Sequence, residues 1–250
     1  MNFTTHRFDR LNSTNDTAIR MAEDGAPEGT VVVAGEQTSG RGRHGRQWSS
    51  PEGEGLYLTV ILRPDIPYDR LWQMAFVASV AVVEAIRQIT GLAPGIKWPN
   101  DVLLNGRKVC GILVETRRQG DKAAGRPVVI GMGINLNNSE FPPEIADKAT
   151  SIMRETGSPV SPRRAEEALL SCLDALYAEY LTDGFTPVLA KWKALDCTSG
   201  RRVSVILDGG VIEGTAVDVD QSGNLIVRRD DGSSVRVTAG EVILSPCQID

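Results

Sequence analysis

The sequence predicts an α+β protein, with an α+β domain over residues 1–197 and a small all-β unit over residues 198–250. Three observations predict it. Apolar, β-branched runs of strand length alternate with two long helical stretches through the first part of the chain. Asn105-Gly106 sits between two such runs, which is a hairpin signal. From about Thr198 the pattern changes to short alternating runs broken by Gly209-Gly210, Gly223 and Asp231-Gly232, the pattern of a small β-barrel of about five strands.

Taken in order, Ser13-Thr14-Asn15-Asp16 offers several helix N-caps and Gly25 a stop, so a short helix lies between them. Residues 30–34 read as a buried strand, residues 36–53 as a Gly-, Ser- and Arg-rich loop, and residues 56–62 as a second strand ended by Pro64 and Pro67. A long helix spans residues 68–90. The hairpin strands are 102–104 and 109–114; a polar loop follows over 117–126 and an apolar strand over 127–136. Ser161-Pro162 opens a helix to about Leu181, with proline at its first position, and residues 185–195 form another. The C-terminal runs are 202–207, 211–219, 225–229 and 235–237.

Net charge is −5, from 27 Lys+Arg against 32 Asp+Glu, which disfavours general nucleic-acid binding. The four cysteines, Cys110, Cys172, Cys197 and Cys247, form no Cys-x-x-Cys pair, and His6 and His44 are the only histidines, so a zinc site is not expected. Scattered single cysteines fit a reducing compartment. The N-terminal residues lack the apolar core of a signal peptide, and the most apolar stretch, residues 74–86, is broken by Ser79 and Glu84. The chain is therefore expected to be cytoplasmic, without a membrane span.

The most unusual stretch runs Gly40-Arg41-Gly42-Arg43-His44-Gly45-Arg46-Gln47-Trp48. Glycine lets backbone N–H groups approach an anion, and arginine supplies a fixed fork of donors for phosphate or carboxylate. A solvated basic loop is the plainer alternative. The three arginines are expected to repel one another, leaving the loop mobile until a ligand supplies negative charge. Two nucleotide motifs fail. Arg46 and Gln47 stand where a P-loop needs Lys and Ser/Thr, and Leu136 stands where a dinucleotide fingerprint begun by Gly131-Met132-Gly133 needs its third small residue.

Three further constellations carry chemistry. Lys97-Trp98-Pro99-Asn100-Asp101 gathers a cation, a rigid turn, an amide and a carboxylate at a strand junction. Lys108-Val109-Cys110-Gly111-Ile112-Leu113-Val114-Glu115 opens an otherwise buried strand with a lysine, which either faces a site or reaches solvent. In Gly131-Met132-Gly133-Ile134-Asn135 an amide interrupts an apolar run, and if buried it needs partners.

With Ser13-Thr14-Asn15 and Gln37, these segments resemble the ordered motif set of the biotin protein ligases: Ser-Thr-Asn, Gln, Gly-Arg-Gly-Arg-x-Gly-Arg-x-Trp, Lys-Trp-Pro-Asn-Asp, Lys-x-x-Gly-Ile-Leu-x-Glu and Gly-x-Gly-Ile-Asn. The resemblance covers nearly the whole chain. It implies a mixed-sheet catalytic domain with helices on one side, related to class II tRNA synthetases and lipoate ligases, followed by an SH3-like barrel. It implies formation of biotinyl-5'-AMP from biotin and ATP with Mg²⁺, no tightly bound cofactor, and transfer of biotin to a lysine of a biotin carboxyl carrier protein domain.

The matched positions imply biotin contacts at Ser13, Thr14, Asn15, Gln37, Arg41, Gly42, Arg43, Lys108 and Gly111. They imply nucleotide contacts at Arg43, Arg46, Trp48, Lys97, Asn100, Asp101 and Asn135, with Lys97, Lys108 and Arg43 catalytic. Asp101 is the candidate to help hold Mg²⁺; the metal ligands are otherwise unknown. Trp48 is expected to pack over bound ligand. Some members begin with a DNA-binding winged helix-turn-helix; only about a dozen residues precede Ser13, so neither that domain nor specific DNA binding is expected. A homodimer is left open. Some members place an arginine after the last barrel strand; here Leu244 is followed by Ser245-Pro246, so no contact is carried over from that barrel. The alternative on the same fold is a lipoate ligase or octanoyltransferase, whose Arg-Arg-x-Gly-Gly-Gly-type loop and downstream histidine do not occur here. A repressor or a pure binding module fits the motifs less well.

Overall fold

The protein is described by a computed structural model that covers residues 1–116, 126–207 and 209–245. Its first unit is a seven-stranded sheet in the order β1-β2-β3-β7-β6-β5-β4. The strands are β1 (Thr4–Leu11), β2 (Thr30–Gln37), β3 (Gly55–Leu62), β4 (Gly95–Lys97), β5 (Asp101–Leu104), β6 (Arg107–Glu115) and β7 (Val128–Asn135). Only β1 and β2 pair in parallel, so the sheet is mixed, as expected.

Strand alternation divides the sheet into two unlike faces. On one, Leu56, Leu58, Val60 and Leu62 of β3 and Val128, Ile130, Met132 and Ile134 of β7 form the main core with the helices α2 (Gln73–Thr90), α4 (Pro162–Asp183) and α5 (Phe185–Leu195). Helix α2 is buried on nearly every side over residues 74–83, which explains its apolar sequence there, and Ser79 is accommodated by donating to Phe76 O. Ser161 caps α4 by accepting from Arg164 N, with Pro162 in the first turn, as the sequence signals.

On the other face, α1 (Thr14–Glu23) seats Ala18, Ile19 and Ala22 on Val32, Ile61 and Val129. Helices are therefore not confined to one side. The rest of that second face carries Thr59, Gly111, Gly131 and Gly133. Register brings these together: Thr59 pairs with Gly131, and Gly111 with Gly133 and Asp101.

The second unit is a five-stranded antiparallel sheet in the order β11-β10-β9-β8-β12. It comprises β8 (Arg202–Leu207), β9 (Gly210–Val219), β10 (Leu225–Arg228), β11 (Ser234–Val237) and β12 (Glu241–Leu244). Its inward Val203, Val205, Ala216, Leu225, Val227 and Val242 belong to the same continuous core as α2 and Trp98. Strands β1 and β4 and the short helix α3 (Ile152–Thr156) are not anticipated by the sequence reading, and the long helix starts at Gln73 after a short 3₁₀ turn at Tyr68–Arg70. Most of the polar loop expected over 117–126, together with Pro246 and Cys247, lies outside the described residues. Among the described residues no helix is long and apolar enough to cross a membrane.

Candidate active site

The floor of the site is defined by missing side chains. A methyl group on Gly133 would lie 2.4 Å from Trp48 Nε1, and one on Gly111 would lie 2.9 Å from the same indole. Trp48 thus lies against two paired glycines of β6 and β7. A methyl on Gly131 would lie 2.1 Å from Asn15 Oδ1. The Gly131-Met132-Gly133 pair that fails as a dinucleotide fingerprint has another physical role here: Gly131 admits Asn15, and Gly133 admits Trp48.

One end of the site is a set of neutral hydrogen-bonding groups at the start of α1. Gln37 Oε1 accepts from Thr14 N at 2.8 Å and from Thr14 Oγ1 at 3.1 Å, and Gln37 Nε2 donates to Ser50 Oγ at 2.8 Å. Thr59 Oγ1 donates to Asn15 Oδ1 at 2.6 Å and lies 2.8 Å from Thr14 Oγ1. Asn15 Nδ2 donates to Glu115 Oε2 at 2.8 Å and to Leu113 O at 3.3 Å. Ser13, Thr14 and Asn15 are buried, and Ser13 does not use its hydroxyl to cap the helix.

The other end gathers cations around one carboxylate. Asp101 Oδ1 lies 2.6 Å from Lys108 Nζ, and Asp101 Oδ2 lies 3.3 Å from Lys97 Nζ. Burial alone would raise the Asp101 pKa, but the two ammonium groups outweigh it and hold the carboxyl below its ordinary value. Lys108 Nζ also stands 5.3 Å from the centroid of Trp48, a cation–π contact. The lysine reaches this face through a register shift between β5 and β6. Its backbone is fixed from behind: Lys108 N donates to Lys148 O at 2.7 Å, and Thr150 N donates to Lys108 O at 2.9 Å. Asn135 Nδ2 holds that same segment at Thr150 O, 3.0 Å away, so the buried amide has its partner.

The loop over residues 40–48 bridges the two ends. It is a small hairpin, not a free coil: Gly42 N donates to Arg46 O at 2.7 Å and Trp48 N to Gly40 O at 2.8 Å. The turn uses His44 and Gly45 at positive φ, 54° and 71°. A methyl on Gly40 would lie 2.3 Å from Trp48 O, so only glycine fits there. The expected mutual repulsion of the arginines is offset at Arg41 and Arg46 by acidic partners, while Arg43 has an amide partner. Arg41 pairs with Asp16 and Glu115, and Arg46 pairs with Glu241 of β12. Arg43 Nη1 donates to Asn100 Oδ1 at 3.1 Å, and Asn100 Nδ2 donates to Ile112 O at 2.6 Å. Burial lowers the Arg43 pKa while Asp101 acts to raise it, and a guanidinium stays charged throughout.

Sequence reasoning missed Thr59, Ser50, Asp16 and Glu241. The first three act only through neighbours brought close by folding. Glu241 lies on the last strand of the unit from which no contact was carried over: it holds Arg46, and Lys97 Nζ donates to Val242 O at 3.2 Å. Both oxygens of Asp101, the candidate for magnesium, lie against lysine ammonium groups. Among the described residues no group of three or more His, Cys, Asp or Glu could hold a metal ion. Cys110 is fully buried, which pushes its thiol pKa up and leaves it a poor nucleophile.

Cations gathered at one end of the site and neutral hydrogen-bonding groups at the other suit a ligand with an anionic end and a neutral polar end, as the substrate of a carboxylate-activating ligase has. Residues 7–135 match the Biotin/lipoate A/B protein ligase family, and residues 198–245 match the Biotin protein ligase C terminal domain. The chain is 40% identical over 226 residues to the bifunctional ligase/repressor BirA of Bacillus subtilis, covering 90% of this chain and 69% of that protein. It is 36% identical over 242 residues to the biotin–[acetyl-CoA-carboxylase] ligase of Paracoccus denitrificans, covering 93% and 97% respectively. Its fold matches the biotin protein ligase from Aquifex aeolicus in complex with biotin and ATP with a TM-score of 0.82 at 30% identity, over 96% of this chain and 98% of that one. The chain belongs to the biotin/lipoate protein ligase family, in its biotin protein ligase branch.

Proposed function

We infer that the protein is an ATP-dependent biotin protein ligase. A biotin carboxylate oxygen attacks the α-phosphorus of ATP, pyrophosphate leaves, and biotinyl-5'-AMP remains. The amine of a carrier lysine then attacks the acyl carbon, loses a proton, and AMP leaves. Substrate groups make both attacks, so no protein nucleophile is required.

The single observation that carries this reading is the Lys97–Asp101–Lys108 cluster beside the Gly111–Gly133 floor. A carboxylate and a triphosphate repel each other, and two lysines fixed by one carboxylate are placed to offset that repulsion without reorganising. We assign the carboxylate and the developing phosphate charge to Lys108, Lys97 and Arg43. Ser13, Thr14, Gln37 and the backbone of Arg41 and Gly42 are assigned to biotin, with Gly111 lying beneath the Trp48 indole and Lys108 at its edge. Asn15 contributes by orienting Thr59. Arg46, Trp48 and Asn100 are assigned to the nucleotide side, with Asp101 and Asn135 behind them as supports. Magnesium, if bound, would be held mainly by triphosphate oxygens and would supply charge neutralisation there, with Asp101 the carboxylate nearest to assist.

Residues 1–197 form the catalytic domain and residues 198–250 the C-terminal domain in this reading. The partner is a biotin carboxyl carrier protein domain of a biotin-dependent carboxylase. A net charge of −5 supports a protein partner over DNA. Biotin-dependent exchange of labelled pyrophosphate into ATP tests the activity, with lipoate and octanoate as controls. Exchange supported equally by octanoate overturns the choice of substrate.

A further inference from the structure

A chain of side-chain hydrogen bonds leaves the loop at Arg41 and returns to it at Trp48. Arg41 donates to Glu115 Oε1, and Glu115 Oε2 accepts from Asn15 Nδ2. Asn15 Oδ1 accepts from Thr59, and Thr59 abuts Thr14. Gln37 links Thr14 to Ser50, whose Oγ donates to Trp48 O at 3.1 Å. Glu115, the last residue of β6, is where this chain crosses from the pocket to the loop. Its two oxygens serve different elements: one holds α1 through Asn15, the other the hairpin through Arg41. Asp16 Oδ1 takes the second Arg41 nitrogen at 2.9 Å, completing a two-carboxylate grip on one guanidinium.

We propose that Glu115 is a positioning residue that clamps the residue 40–48 hairpin to the recognition pocket and so sets how long the acyl-adenylate is retained. The use made of the clamp rests on the ligase reading above; the clamp itself does not. Glu115 touches no reacting atom. Its effect passes through Arg41 to the lid and through Asn15 to the pocket. Arg41 and Glu115 are partly exposed, with side chains 38% and 27% accessible, so breaking the pair loosens the loop without unfolding the protein.

The test uses Glu115→Gln, Arg41→Gln and the double variant of the full chain. Glutamine keeps an oxygen for Asn15 Nδ2 and loses the ion pair. The first readout is the rate of tryptic cleavage at Arg43 and Arg46 without biotin or ATP. The second is the release rate of preformed biotinyl-AMP, set against KM for biotin. Glu115→Gln speeds cleavage and release about two- to five-fold. Arg41→Gln, which also loses Asp16, does at least as much, and the double variant adds nothing to Arg41→Gln. Biotin KM changes less in Glu115→Gln than in Glu115→Ala, which also strips the acceptor from Asn15. Wild-type cleavage in Glu115→Gln, or a double variant faster than Arg41→Gln, overturns the clamp. Faster cleavage with unchanged release overturns its role in retention. If the wild-type protein forms no adenylate, the ligase reading fails instead, and the cleavage arm still decides whether the clamp exists.

Discussion

At the residue scale, the motifs name positions and the structure supplies the reasons for them. Lys108 reads equally as a site lysine or a strand-end lysine reaching water. The deciding contact, Asp101 at 2.6 Å, lies across a strand pair and cannot be read from the local sequence. Lys108→Gln removes a charge-assisted contact, a loss of about 1.5–3 kcal/mol, so adenylate formation should fall roughly ten- to a hundred-fold. Formation at the wild-type rate would exclude the role. Gly133→Ala is the steric counterpart: its methyl meets Trp48 at 2.4 Å and displaces the indole. Strain of about 1–3 kcal/mol is expected, with adenylate formation reduced more than thermal stability. Unchanged kinetics would mean that the indole has no function in that seat. The Asp101 pKa is lowered on folding, so its contribution to stability is present above its unfolded pKa and lost as pH falls through the lower folded value. The Tm gap between wild type and Asp101→Asn should therefore be widest above pH of about 4 and close below it. A gap independent of pH would contradict this.

At the element scale, the strongly patterned segments were legible and the weakly patterned ones were not. Helices α2 and α4 and strands β3 and β7 bury continuous apolar faces, and the sequence shows them. Strand β1 is a mostly exposed edge with polar alternation, and β4 has three residues, so neither carries a hydrophobic signature of its own. Both exist because a neighbouring strand supplies the ladder. Helix α3 is equally short, yet it buttresses the site. Glu155 on α3 accepts from Arg107 at 2.7 Å and from Asn105 at 2.5 Å, and also binds Thr150. Thr150 in turn bonds the backbone of Lys108. Glu155→Ala should cost about 1–3 kcal/mol and make the Thr150 amide exchange faster with solvent. Adenylate formation should fall by a smaller factor than in Lys108→Gln. Protection of Thr150 equal to wild type would refute the buttress.

At the scale of the whole molecule, composition gave the two units but not their interdependence. The indole N–H of Trp98 donates to Gly223 O at 2.9 Å, and Trp98 N donates to Thr198 Oγ1 at 2.8 Å. A methyl on Gly223 would lie 2.2 Å from Trp72, so the β9–β10 turn sits directly on the catalytic unit. Arg46 and Lys97 both hold β12, which means that the site's cations are anchored in the second unit. Trp98 is 1% exposed, and complete uncovering of an aromatic side chain of about 150–250 Å² at about 25 cal/mol per Å² forfeits roughly 4–6 kcal/mol, the upper limit of what losing the second unit costs at this residue. That is comparable to the whole stability of many domains. The two units should therefore unfold together. Calorimetry of the intact chain should give one transition, with near-UV and far-UV signals moving in step. Gly223→Ala should lower that single Tm without splitting it. A chain ending at residue 197 should expose Trp72 and Trp98 and lose cooperative unfolding. Two resolved transitions, or a cooperative fold in the shortened chain, would show that the C-terminal unit is an attachment and not part of the structure that holds the site.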